Sequence, residues 1–337
     1  MNSILYKKNI LITGGSGSIG KALASRAIVD GAKTVRIFSN DENGLYEMEL
    51  NLKKNKNLEF VIGDIRNPET VHSIVKKIDI IFHAAALKHV DRCELNPLET
   101  TSVNVIGTNN ILQAAISENV ERVICISTDK AVNPIGVMGA TKLLAEKLVA
   151  SEAFHKKSQT ILASVRFGNV FHSRGSILPR IESQIKNGGP VTLTDEKMLR
   201  YFMTIENAVD LILNATKMSK GGEIFILKMP LLRLKDLFET MIDIIAPKYG
   251  FTSKQIKIKK TGIRPGEKLT EFLLTKFEME HALETKEFFI IPPFSADLKN
   301  SYPEAKKVKD AKKYFENLQP LTSTQILKLL KSVYSIK

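Results

Sequence analysis

Cysteine is scarce. Cys93 and Cys125 are the only two in 337 residues, too few for a disulfide framework, and both are expected to be reduced thiols of a cytoplasmic protein. Long apolar runs are missing too. Nothing approaches the ~18–20 residues of a membrane helix, so no membrane segment is expected. The N-terminus shows no apolar core of a signal peptide, because Asn9-Ile10-Leu11-Ile12 runs at once into glycines. No internal repeat, low-complexity tract or metal site is legible. Acids are outnumbered, 36 against 49 Lys and Arg, for a formal charge of +13. Such an excess suits nucleic acid. The lysines are scattered, however, aromatics are not interleaved with them, and no helix-turn-helix, finger or RNA-binding signature is present. Part of the excess lies in the tail, where residues 295–337 hold nine lysines against four acids. A solvated basic surface is expected, with no nucleic-acid partner and a good match to an acidic small-molecule substrate.

What is present is ordinary in proportion, 43% hydrophobic and 25% charged, as in a globular protein. The length suits two domains, or one α/β domain with a smaller lobe. Lys8-Asn9-Ile10-Leu11-Ile12-Thr13 reads as a short strand, and Gly14-Gly15-Ser16-Gly17-Ser18-Ile19-Gly20 follows it directly. Lys21 to Val29 then has helical periodicity and stops at Gly31. A glycine triplet alone says little; strand, glycine turn and helix in this order mark a dinucleotide site. Gly14 permits the tight turn, Gly17 the approach of a pyrophosphate, and Gly20 the close packing of helix on strand. The helix start offers free N–H groups to the phosphates.

The second strand, Thr34 to Phe38, ends at Ser39-Asn40-Asp41-Glu42. An acid at that tip favours NAD and a nearby base favours NADP; with Ser39 and Asn40 first and the acids beyond, NADP is preferred over NAD. Asp64, at the tip of the third strand and followed by Ile65, either bonds the adenine or caps the helix after Asn67-Pro68. The fourth strand, Ile78 to His83, leads to Ala84-Ala85-Ala86, small enough for backbone to pass close to a cofactor. Lys88 and His89 come next, towards any substrate or simply in solvent, and a helix carrying Asn104 follows. A fifth strand, Val123 to Ile126, and a sixth, Ile161 to Val170, complete the alternation. The fold class is therefore α/β, a doubly wound parallel sheet with a smaller C-terminal lobe. The expected division is a nucleotide-binding Rossmann domain over 1–170, rejoined by a segment near 200–228. A substrate-binding lobe takes 171–199 and 229–294, and a helical extension 295–337. In the lobe, Arg174, Arg200 and Arg264 are candidates for an anionic diphosphate, though each taken singly reads more readily as a surface arginine. Thr322-Ser323-Thr324-Gln325 caps an amphipathic last helix.

The chemistry is expected in Ser127-Thr128-Asp129-Lys130, at the carboxyl end of the fifth strand, where open α/β sheets bind ligands. Pro134 and Gly136 break the loop. A helix from Gly139 follows, on which Met138 and Lys142, four apart, share a face. A hydroxyl, a carboxylate and two lysines then converge on one crevice; a solvated loop before a surface helix is the plain alternative.

Thr13 to Gly20, Ala84 to Val90, Ser127 to Ala131, Met138-Gly139-Ala140-Thr141-Lys142, Arg166-Phe167-Gly168-Asn169-Val170, Ser173-Arg174-Gly175-Ser176 and Arg264-Pro265-Gly266-Glu267-Lys268 together resemble the UDP-N-acetylglucosamine 4,6-dehydratases. These are extended short-chain dehydrogenase/reductases that open routes to bacterial surface sugars. The likeness runs from about residue 6 to 275 and implies a tightly bound, recycled NADP, a UDP-sugar substrate and a homo-oligomer. It implies that Lys130 removes the C5 proton, Asp129 protonates the departing C6 hydroxyl, Thr128 bonds the C4 oxygen and Lys142 holds the nicotinamide ribose. Cofactor contacts are expected from Thr13, Gly14, Ser16, Gly17, Ser18, Ile19, Gly20, Ser39, Asn40, Asp64, Ile65, Ala84, Ala85, Ala86, Lys88, Asn104 and Lys142. Substrate contacts are expected from Lys88, His89, Asn169, Arg174, Ser176, Thr194, Arg200, Arg264 and Glu267. One departure stands out: Met138 occupies the place of the usual tyrosine base and cannot take a proton, although some dehydratases of this family share it. Two rival readings keep the fold and cofactor, an NADP-dependent UDP-sugar C4 epimerase or 4-keto reductase, and a catalytically silent NADP-binding sensor.

Overall fold

The structure, a computed structural model, describes residues 3–52, 55–155, 159–293, 302–308 and 317–334. Much of the expected helical extension, 295–301, 309–316 and 335–337, lies outside the described residues.

Six strands carry the first half of the chain: β1 (Asn9–Thr13), β2 (Thr34–Ser39), β3 (Leu58–Ile62), β4 (Ile80–His83), β5 (Arg122–Thr128) and β6 (Ile161–Phe167). They pair in parallel in the order β3-β2-β1-β4-β5-β6, the doubly wound sheet that the strand–helix alternation predicts. Central strands are buried along nearly their whole length because helices cover both faces, whereas β3, at the edge, stays partly exposed. The order reverses between β1 and β4, which open a crevice at their carboxyl ends. Beyond β6 the strand Ile224–Leu227 adds in parallel, followed by antiparallel Phe288–Ile291, Leu283–Glu284 and Lys306–Lys307.

The expected sixth strand breaks at Gly168. A Cβ there would lie 2.8 Å from the Tyr201 carbonyl oxygen, so only glycine lets the chain cross. Asn169–Val170 leaves the main sheet and pairs with Leu199–Met203, itself antiparallel to Leu231–Arg233. This half has a core of its own, with Phe171, Leu178, Ile181, Leu237, Phe238 and Met241 buried together. The last helix, Ser323–Val333, inserts Ile326 and Leu330 into it. Thr322 caps that helix as expected, its side chain accepting from the Gln325 N–H while Gln325 accepts from the Thr322 N–H.

Two boundaries bear on the site. β5 runs to Thr128, so Asp129-Lys130-Ala131 forms a single 3₁₀ turn at the strand tip, capped by the Thr128 hydroxyl. The helix after it starts at Val137 and runs to His155. The Glu94 carboxylate, from a separate helix, accepts its first N–H, that of Val137, at 2.5 Å and so ties down the end that presents Met138 and Lys142.

Candidate active site

One cavity of about 600 Å³ lies over the carboxyl ends of β1, β2, β4 and β5, and both halves of the chain wall it. Gly14, Gly17, Ser18, Ile19 and Gly20 line one end, and a nicotinamide dinucleotide fits the cradle they make. Gly14 has φ +65°, and a Cβ on it would lie 2.7 Å from the Ala85 backbone; one on Gly20 would lie 2.5 Å from Gly15 Cα. At Gly17 the nearest obstacle is the Gly14 oxygen at 3.1 Å, so its face is open to a ligand. Backbone amides at the head of the helix Ser18–Val29 suit a pyrophosphate. Ser16, Ser39, Asn40, Asp64, Ile65, Ala84, Ala85, Ala86, Lys88 and His89 line the same end. Asp64 is not the cap of the following helix. Asn67 is, accepting from the Thr70 N–H, while Asp64 pairs with Arg66 at 2.6 Å, which holds its carboxyl below the ordinary range.

Thr128, Lys130, Met138 and Lys142 meet in the wall at the tip of β5. Asp129 does not. It is fully buried behind them, and its Oδ1 accepts both the Thr128 hydroxyl, at 3.0 Å, and an Nζ–H of Lys130, at 3.0 Å. Its Oδ2 is buried without a hydrogen-bond partner among the described residues, a costly position unless something else reaches it. Lys142 is buried against the Ile126 carbonyl at 2.7 Å, and burial pushes its pKa down.

Thr13 and Asn104 also stand behind the wall rather than in it. Asn104, within a π-helical turn over Ser102–Gly107, accepts from the Leu87 N–H at 2.8 Å, donates to the Leu87 carbonyl at 3.0 Å and donates to Thr141 at 3.1 Å. It pins the loop after β4 to the helix of Lys142. Thr13 belongs to a buried chain. The Thr108 hydroxyl donates to the Asn104 carbonyl, so its oxygen accepts the His83 Nε2–H at 3.0 Å, and His83 Nδ1 accepts the Thr13 hydroxyl at 2.7 Å. Burial, with a smaller push from Lys142, lowers the His83 pKa to about 3, so this imidazole stays neutral.

The three arginines differ from one another in what they touch. Arg200 is buried, with its guanidinium donating to the carbonyls of Leu199, Lys268 and Leu269; it braces the wall more than it faces a ligand. Arg264 lines the cavity with no guanidinium partner among the described residues. Next to it the Glu267 carboxylate accepts the Arg264 N–H at 3.4 Å, and Lys268 reaches across to the Val132 carbonyl at 2.7 Å, locking this turn onto the Lys130 loop. Arg174, expected on a substrate diphosphate, instead crosses the glycine turn and pairs with Asp41 at 2.7 Å. Its exposed side chain has the reach, and a carboxylate stands where it lands. Asn169, Ser176 and Thr194 line the cavity as well, the buried Ser176 hydroxyl without a partner among the described residues. Sequence reasoning missed Arg180, Gln184 and Glu271, which are also among the lining residues. Nothing local marks Arg180 and Gln184, since their helix, Ile177–Lys186, is amphipathic like any surface helix, and Glu271 lies in a segment with no helix or strand of its own.

The profile of the polysaccharide biosynthesis protein family matches residues 10–293. An uncharacterized membrane protein of Methanocaldococcus jannaschii is 47% identical over 333 residues, 98% of either chain. Among the described residues here, no helix is long and apolar enough to cross a membrane. A UDP-glucose 4-epimerase of Rickettsia rickettsii is 41% identical over 296 residues, 86% of this chain and 84% of the other. Of solved structures, Pen from Bacillus thuringiensis superposes with a TM-score of 0.90 at 40% identity, covering 99% of this chain and 100% of that one.

Proposed function

The chain belongs to the polysaccharide biosynthesis protein family, and from that membership we propose that it is a sugar-nucleotide 4,6-dehydratase. Its substrate on this reading is UDP-N-acetylglucosamine and its product a UDP-4-keto-6-deoxy sugar. The observation that carries the proposal is the pair Thr128 and Lys130, side by side in the cavity wall with Asp129 bonded to both from behind.

NADP, when bound, supplies the reversible acceptance of the C4 hydrogen and its return at C6. The glycine turn holds the pyrophosphate, Ser39 and Asn40 the adenosine ribose, Asp64 the adenine, and Lys142 the nicotinamide ribose. Thr128 accepts the proton of the C4 hydroxyl and passes its own to Asp129 Oδ1, a route that needs no tyrosine and leaves Met138 as apolar wall. Lys130 takes the C5 proton made acidic by the 4-ketone. Asp129, buried behind the wall, then returns the proton it received to the Thr128 oxygen as that hydroxyl gives its own to the C6 hydroxyl, which departs as water. Lys130 returns its proton to C5, and both groups end as they began. Arg264, Glu267 and the Ser176 hydroxyl hold the UDP moiety.

Incubation with UDP-N-acetylglucosamine tests this. A product lighter by one water, carrying deuterium at C5 when made in deuterated solvent, supports it; full turnover by a Lys130→Ala variant sinks the assigned roles. The rival is a UDP-sugar C4 epimerase, which the 41% identical Rickettsia relative favours. Epimerisation needs neither a C5 base nor a C6 acid. Unchanged mass with a new retention time would establish it.

A further inference from the structure

The tip of β2 carries opposing instructions. Asp41, two residues past Ser39, turns its carboxylate back toward the glycine turn. Oδ2 lies 3.3 Å from the Ser16 hydroxyl, itself 2.9 Å from that of Ser39, and Oδ1 accepts the Gly44 N–H at 3.1 Å. An acid held there accepts the ribose hydroxyls of NAD and repels the 2′-phosphate of NADP. Arg174 then answers that acid from the far wall, 133 residues away in sequence. Its place is set by the backbone around it. The Arg174 N–H donates to the Ser18 hydroxyl at 2.8 Å, and the Arg174 carbonyl accepts the Lys88 ammonium at 2.7 Å. Gly175, at φ +73°, lies so near His89 that a Cβ would stand 2.6 Å from the ring. The guanidinium is therefore delivered to this corner by a strap over the glycine turn. Its bond to Asp41 leaves most of its five N–H donors open to the cavity edge.

Resting on the dinucleotide reading above, we propose that Arg174 decides coenzyme choice, by neutralising Asp41 and presenting its remaining donors to a 2′-phosphate. Without Arg174 the corner carries one uncompensated negative charge; with it, the corner is neutral and holds a planar, doubly donating partner for phosphate. The Asp41 carboxyl is held below the ordinary range, chiefly by Arg174 and next by the Gly44 N–H, so it is ionised whenever a coenzyme binds. Asn40, the other residue at this tip, carries no charge with which to do the same.

The test compares affinities for NADPH and NADH, read from the nicotinamide fluorescence of the titrated protein. Nucleotide released from the purified protein by denaturation is identified by mass spectrometry. Arg174→Ala should lower the NADPH to NADH affinity ratio by about tenfold or more, the worth of a charge-assisted phosphate contact. Arg174→Lys should restore part of it, and Asp41→Asn should move the ratio the opposite way. Because the Arg174 side chain is 69% exposed, these substitutions leave the core intact. A ratio unmoved by Arg174→Ala, or equal weakening of both coenzymes, overturns the proposal and leaves the strap as a plain cover. Wild-type protein that binds neither coenzyme refutes the dinucleotide reading itself, a separate outcome.

Discussion

Arg166 is the most consequential buried charge outside the cavity. Nothing of its side chain is exposed, and Glu146, which it grips by Nη2 at 2.7 Å and Nε at 3.1 Å, is nearly as deep. On its other side it holds Glu278 at 2.9 and 3.1 Å and the Leu273 carbonyl at 2.9 Å. Burial works against the guanidinium charge, but the two carboxylates outweigh it and raise its pKa. Substituting Arg166→Met keeps much of the volume and strands two carboxylates. Breaking a buried pair by removing one partner costs ~3–5 kcal/mol. With unfolding entropy of ~2 cal/mol/K per residue, about 0.7 kcal/mol/K for this chain, a loss of ~4 kcal/mol lowers Tm by about 6 °C. Calorimetry at pH 7 measures it. The deficit has a pH signature. Burial opposes the charge of Glu278, yet Arg166 outweighs it and holds that pKa below the ordinary range. A depressed carboxylate pKa stabilises the fold above the unfolded value and ceases to do so as pH falls through the folded one. The gap between variant and wild type is therefore widest near neutrality and narrows below about pH 4. Adding Glu146→Gln to Arg166→Met should recover part of the loss, since the residues are coupled. A variant within about 1 °C of wild type, or a double variant worse than the single one, refutes the reasoning. Turnover is expected to fall too, because Glu146 also accepts the Ser127 hydroxyl, at 2.5 Å, beside Thr128.

Lys130→Ala should retain coenzyme and UDP binding by calorimetric titration while losing dehydration at least a hundredfold, the usual worth of one positioned base; loss of coenzyme binding instead would reassign the residue. Gly20→Ala should lower Tm and abolish coenzyme retention, because its Cβ would stand 2.5 Å from backbone that cannot give; a variant that copurifies with coenzyme contradicts the cradle. His83 has a pKa depressed to about 3 by burial, so as pH falls through the unfolded value of ~6.5 the unfolded chain takes a proton that the folded one refuses. That costs about 2 kcal/mol between pH 7 and pH 5. His83→Asn should be less stable at pH 7 yet show a flatter Tm profile over this interval, and an unchanged slope would discount the imidazole.

Much of this molecule is written in local patterns. Apolar runs such as Ile80-Ile81-Phe82 and the glycine turn declare a strand, a turn and a helix through rules spanning a few residues. Hence the doubly wound parallel sheet and the glycine turn between its first strand and helix were legible in advance, as was the crowding of Thr128, Lys130 and Lys142 at one strand tip. Directions of side chains were not. Whether Asp129 faces the cavity depends on a 3₁₀ turn whose pitch sends its carboxyl inward behind its neighbours. Asn104 reads as a ligand contact until a π-helical turn aims its amide at the Leu87 backbone. Arg174 meets Asp41, and Arg166 meets Glu278, 112 residues on, only because separate segments pack so that those charges arrive together. Local propensity has no access to that, for an ion pair costs nothing to either segment until the chain closes on itself and water leaves.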